Sequence, residues 1–204
     1  MDEAREAIAF GASALGLVGH MPSGPGVIAD EQIAEIAQAA PPGISTFLLT
    51  SETEANSIVA HHQRVYTSTL QLVDAVAPGA YQQIRSALPG IKIVQVIHVL
   101  DEASVDEALA AAPEVDALLL DSGNPNLAVK ELGGTGRTHN WQLSRKIVEQ
   151  AVVPVFLAGG LNPDNVRAAI ETVQPYGLDI CSGVRSGSKL DKYKLEKFFN
   201  AINS

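Results

Sequence analysis

Residues 154–166 read PVFLAGGLNPDNV, which places a strand, a turn and a helix start in direct succession. The apolar run Val155–Leu157 is a strand candidate. Gly159 and Gly160 follow it at once, and glycine allows both a tight turn and close approach of the backbone to a ligand. Asn162-Pro163 then sets a capping side chain before a proline at the first helical position, so a helix is predicted over 163–173.

The same order repeats outward along the chain. Strand candidates are ALGLV (14–18), STFLLT (45–50), STLQL (68–72), KIVQVIHV (92–99), ALLL (117–120), VFL (155–157) and LDIC (178–181). They are nearly all apolar and do not alternate with polar residues, the pattern of parallel strands covered on both faces. Amphipathic helical stretches are predicted over 2–10, 30–40, 52–62, 79–88, 101–112, 140–150, 163–173 and 190–202. Asp2 stands at a capping position in the first of them. No fixed-period repeat exists beyond this alternation.

A helix followed by seven βα pairs with right-handed crossovers gives a doubly wound sheet or a barrel. A TIM (β/α)8 barrel typically takes about 250 residues and eight strands, whereas this chain has 204 residues. The expectation is an α/β chain of TIM (β/α)8-type that lacks strand 1, a single domain over 1–204, truncated at its N-terminus relative to the full barrel. Its first and last strands should then leave unpaired edges, with the gap between Gly16 and Ile180 staying open, because a closed seven-stranded barrel needs a different tilt and stagger.

The formal charge of −9 argues against nucleic acid and anionic membranes as partners. No run approaches the roughly 18 apolar residues of a membrane span, and the charged N-terminus is unlike a signal peptide. A cytoplasmic protein is the default expectation. The single cysteine, Cys181, excludes an intrachain disulfide, and no His/Cys cluster suggests a metal. His61 and His62 are read as solvated helix residues. A homo-oligomer is left open.

Three glycine-bearing loops carry the chemical signal. Gly133-Gly134-Thr135-Gly136-Arg137-Thr138 precedes a helix, Gly159-Gly160 follows VFL, and Ser182-Gly183-Val184-Arg185 follows LDIC. Each alone could be only a turn. The last two stand after consecutive strands, on the face where barrel sites are built and where the usual barrel phosphate site lies. Backbone N–H groups at such turns can hold an anion on an acidic protein. Gly134, Thr135, Gly136, Gly159, Gly160, Ser182, Gly183 and Val184 are therefore the candidate phosphate-binding residues.

LLLDS (118–122), GGTGRTHNW (133–141), PVFLAGGLNPDNV and DICSGVRSGSKLDKYKLEKF (179–198) together resemble the phosphoribosylanthranilate isomerase family, the Amadori isomerases of tryptophan biosynthesis. GASALGLV (11–18) and LQL (70–72) extend the likeness. The resemblance implies a phosphorylated sugar as ligand and no cofactor. It also implies a reaction in which a general acid opens the ribose ring and a general base removes the C2 proton. Asp121 matches the family's acid, although an Asp there also suits a turn over Ser122-Gly123-Asn124. Asp179 matches a family position, or caps nearby loop N–H groups.

Several family features are missing. The Cys base belongs to the absent first strand, and Cys181 resembles a small buried strand residue. Met21–Val27 (MPSGPGV) has no Arg for the anthranilate carboxylate. Val73 stands where the family has His, and Gln95 where it has Lys. Three readings follow: an Amadori-type isomerase, a phosphosugar-binding barrel with a different substrate, and a catalytically inactive relative.

Overall fold

The computed structural model describes residues 1–203. In chain order the elements are α1 (Asp2–Ala9), β1 (Ala14–Val18), α2 (Asp30–Ala39), β2 (Ser45–Thr50), α3 (Ala55–Val65), β3 (Thr69–Leu72), α4 (Ala80–Ala87), β4 (Lys92–His98) and α5 (Ala103–Ala111). They continue with β5 (Ala117–Asp121), α6 (Trp141–Gln150), β6 (Val155–Leu157), α7 (Val166–Val173), β7 (Gly177–Leu178), a hairpin of β8 (Arg185–Ser186) and β9 (Lys189–Leu190), and α8 (Lys192–Asn203). The seven parallel strands hydrogen-bond in chain order from β1 to β7. That is the strand order of the expected barrel, with no eighth parallel strand among the described residues.

Strand alternation sorts the apolar residues into two layers. Leu48, Leu70, Ile93, Ile97, Leu118, Leu120 and Leu157 point outward and pack under the helices. Each such fully buried aliphatic side chain stabilises the fold by about 1.5–3 kcal/mol. Val94, Val96, Ala117, Leu119 and Ala158 point the other way and form a second cluster with Phe47 and Phe156. Phe47 on β2 meets Phe156 on β6 edge to face, with ring centroids 6.4 Å apart. Three strands separate β2 from β6 in the sheet, so this contact spans the concavity and shows that the sheet is curled.

The curl does not close. Among the described residues no ladder joins β1 to β7, and the inward residues Ala14 and Gly16 are exposed. The outer layer does bridge the gap. Glu3 on α1 accepts hydrogen bonds from the Arg185 side chain at 2.8 Å and from the Leu190 N–H at 2.9 Å, and Lys192 pairs with Glu6 at 3.3 Å.

Three sequence expectations are corrected. The last sheet strand is Gly177–Leu178, not 178–181, because the chain turns into a 3-10 segment at Ser182–Val184. The helix expected from Pro163 begins at Val166. Asn162 still caps, with its Oδ1 accepting the Asp164 N–H at 2.9 Å, but 163–165 form a turn. His61 and His62 are buried, not solvated. They share a stripe with Ile58 and Val65 at helical spacing. His61 lies between Thr50 Oγ1 and Asp30, 3.1 Å from each, and His62 Nε2–H donates to the Thr67 carbonyl at 2.8 Å.

An open edge has a dynamic signature. Amides of β1 and β7 should exchange with solvent orders of magnitude faster than those of β4 and β5. Native-state hydrogen exchange resolved by NMR checks this, and equal protection would mean that the gap is covered in solution.

Candidate active site

Asp121 ends β5 and faces the concavity in phase with Ala117 and Leu119. It is 7 % exposed, and its Oδ1 accepts the Ser122 N–H at 2.7 Å. Burial raises its pKa, against the Ser122 N–H and the charge of His98, which lower it. The carboxyl therefore keeps its proton to a higher pH than an ordinary Asp, as a general acid requires. Asp179 follows β7, and its N–H donates to the Leu157 carbonyl at 2.9 Å. Although it keeps some solvent contact, it is pushed up to about 6, first by burial and then by the charge of Asp121.

The segment 122–140 runs from the acid to the two other glycine loops. A Cβ on Gly133 would stand 2.9 Å from Asp121 Oδ2, and one on Gly160 would stand 2.5 Å from the Arg137 carbonyl carbon. Ser122 and Thr135 join their hydroxyls at 2.8 Å, and Gly136 lies beside the Ser182 hydroxyl. A Cβ on Gly183 would meet the Leu161 carbonyl oxygen at 1.9 Å, so the last two loops are stacked. All the candidate phosphate residues thus converge on one mouth. Among the described residues the N–H groups of Gly159, Gly160 and Gly183 have no acceptor. Val184 is different: its side chain is buried and its N–H donates to the Cys181 carbonyl at 3.4 Å.

Several residues change standing. Gln95, in the position of the family's Lys, points outward in phase with Ile93 and Ile97. Its Oε1 accepts from the Tyr81 hydroxyl at 2.8 Å, while its Nε2 donates to the carbonyls of Leu72, Asp74 and Val96. It staples strand ends and lies outside the site. Cys181 is no ready base, because burial pushes its thiol up, with Arg185 opposing and Asp179 adding. In the MPSGPGV loop Ser23 donates to the Lys130 carbonyl at 2.5 Å, and Pro25 packs on Gly134. That loop closes over the glycine-rich segment and offers no cation.

Two histidines were missed from sequence. His98 ends β4 in register with Asp121, and its place at a strand's carboxyl end was the available signal. His139 bonds Ser144 at 2.7 Å beside Gly159, and burial lowers its pKa to about 4. Among the described residues no group of three or more His, Cys, Asp or Glu is placed to hold a metal, and no helix is long and apolar enough to cross a membrane.

An inward acid at a strand's carboxyl end, ringed by glycine turns, defines a parallel α/β protein of the barrel type with its site at the strand ends. Comparison with known proteins narrows that class. The family model described as N-(5'-phosphoribosyl)anthranilate (PRA) isomerase matches residues 4–201, and the chain belongs to this family. It is 36% identical over 194 residues to the N-(5'-phosphoribosyl)anthranilate isomerase of Haloferax volcanii, covering 95% of this chain and 84% of that protein. It is 31% identical over 189 residues to that of Methanocella arvoryzae, covering 93% and 86%. A crystal structure of phosphoribosyl anthranilate isomerase in complex with reduced 1-(o-carboxyphenylamino)-1-deoxyribulose 5-phosphate superposes with a TM-score of 0.79 at 25% identity, covering 99% of this chain and 93% of that one.

The glycine contacts give a paired test. Gly160 (φ +65°) and Gly43 (φ +93°) both have left-handed backbones, but only Gly160 would drive a Cβ into backbone. Gly43→Ala should cost about 1 kcal/mol of stability, and Gly160→Ala clearly more. Urea unfolding of the two variants checks the order.

Proposed function

We propose that the chain performs the acid and phosphate-binding parts of an Amadori isomerisation of a phosphoribosylamine, the reaction of phosphoribosylanthranilate isomerases in tryptophan biosynthesis. The observation that carries this reading is the buried, inward Asp121 in one mouth with three N–H groups that have no acceptor. The phosphate sits between Gly159-Gly160 and Ser182-Gly183-Val184, flanked by Gly134-Thr135-Gly136. The N–H groups hold it as hydrogen-bond donors and as local positive potential. The solved relative's ligand, a 5-phosphate with a deoxyribulose and a carboxyphenylamino group, supports a phosphorylated sugar as the ligand class.

With the phosphate anchored, Asp121 protonates the furanose ring oxygen, and the C1–O bond opens to an iminium. Removal of the C2 proton then gives the enolamine, which tautomerises to the ketone. Protonated Asp121 is the reactive form, so kcat falls as pH rises through its raised pKa. Among the described residues no thiolate stands ready for the C2 proton, since Cys181 is held as the thiol. The open side between β1 and β7 is where another strand fits.

Asp121→Asn should lower kcat by roughly 100-fold or more and leave inorganic phosphate affinity unchanged, since Asn keeps the side chain's size. Steady-state kinetics and phosphate titration check the two halves, and full activity in the variant would remove Asp121 from the mechanism. The 204-residue polypeptide alone should bind phosphate yet turn over phosphoribosylanthranilate slowly. A strand ending in Cys, supplied at the gap, should raise that rate by orders of magnitude. Normal turnover without it would mean that another base operates.

A further inference from the structure

β4 ends on a side chain that the acid and the glycine turns leave unexplained. His98 is in register with Asp121 and faces the concavity in phase with Val94 and Val96. It is 7 % exposed. Its Nε2 lies 2.9 Å from the Val73 carbonyl oxygen, and a carbonyl only accepts, so Nε2 carries the hydrogen. Nδ1 is buried and has no hydrogen-bond partner among the described residues. Leaving a buried polar atom unpaired costs about 1–3 kcal/mol, and in a native fold it points to a role. The Nδ1 edge lies against the turn that follows the acid. A Cβ on Gly123 would stand 2.5 Å from Nδ1 and 2.7 Å from Cε1. The ring is thus tied to β3 on one side and pressed against Asp121-Ser122-Gly123 on the other.

We propose that His98 is a positioning residue for Asp121, holding the Asp121–Gly123 turn with its tethered ring and setting the carboxyl's charge balance through its free Nδ1. A proton on Nδ1 places an imidazolium beside the carboxyl and favours the carboxylate. A neutral ring lets the buried carboxyl keep the proton it must donate. The charge of His98 does pull Asp121 down, against the larger upward effect of burial.

The ionisable groups linked to the His98–Asp121 pair are Glu107, Asp74 with its partner Lys130, and Asp179. Glu107 on α5 is raised by burial and by Asp74, and lowered by His98. Asp74, just after β3, is paired with Lys130. Asp179 enters through its interaction with Asp121. From α5, Ser104 Oγ donates to the His98 carbonyl at 3.2 Å and steadies the backbone. The role of His98 in catalysis rests on the isomerase reading, while its electrostatic link to Asp121 does not.

The test is a pair of titrations on the full chain. The carboxyl 13C resonance of Asp121, assigned by its loss in Asp121→Asn, is followed with pH in the parent and in His98→Gln. Glutamine keeps an N–H for Val73 and removes the ring's charge. The Asp121 midpoint should rise by about 1 unit, the scale of a neighbouring opposite charge. An unmoved midpoint overturns the proposal. If His98→Gln does not fold, the same Asp121 titration in His98→Asn decides. The readout needs no turnover, so a chain without isomerase activity would sink the functional reading and leave this one standing. In a form that turns over, the high-pH limb of kcat should move up with Asp121 in His98→Gln, and a fixed limb would overturn the role in catalysis.

Discussion

A parallel ladder sends alternate side chains to opposite faces, and here the inward set changes character along each strand. Low in the concavity it is apolar, with Val94, Leu119 and the crossed rings of Phe47 and Phe156. At the carboxyl ends it becomes ionisable, with His98 and Asp121 side by side in register. The apolar floor and the covering segment 122–140 keep water from Asp121, and that desolvation raises its pKa above that of an ordinary aspartate. The core and the chemistry are thus two ends of one alternating pattern.

Glycine gives that covering segment its shape. Gly160 passes the Arg137 backbone and Gly183 the Leu161 backbone at distances that no Cβ allows, so three loops nest as bare backbone. Bare backbone also leaves N–H groups of Gly159, Gly160 and Gly183 without an acceptor among the described residues. Close packing of the loops and unpaired backbone donors therefore have one cause, and it needs no lysine or arginine in a chain of formal charge −9.

Much of this was legible in the sequence. The apolar runs gave all seven strands of the sheet, and Asp121 and the glycine turns stood at strand ends where a barrel puts its site. The misses share a physical reason, which is that one-dimensional spacing does not say which way a side chain faces at an element's edge. His61 and His62 belong to a buried stripe that also includes Ile58 and Val65, but two polar letters in succession read as surface. Gln95 occupies a family position yet points outward, because its neighbours Ile93 and Ile97 set the phase. His98 looked like part of an apolar run, and only the register with β5 gives it a partner. β7 was read too long because LDIC is apolar, while the turn at Ser182 pulls the chain out of the ladder after Leu178.

The link between Glu3 and the Arg185–Leu190 hairpin joins groups 182 and 187 positions apart in the chain. Such a clasp closes a very long loop, and the entropy of that closure grows only slowly with length. Its timing is affected more than its strength. During vectorial synthesis α1 emerges long before the hairpin and must wait for it to find its seat, so α1 is an early-made, late-docked element. A circular permutant joining the two ends would turn this most distant contact into a local one and lower the contact order of the fold.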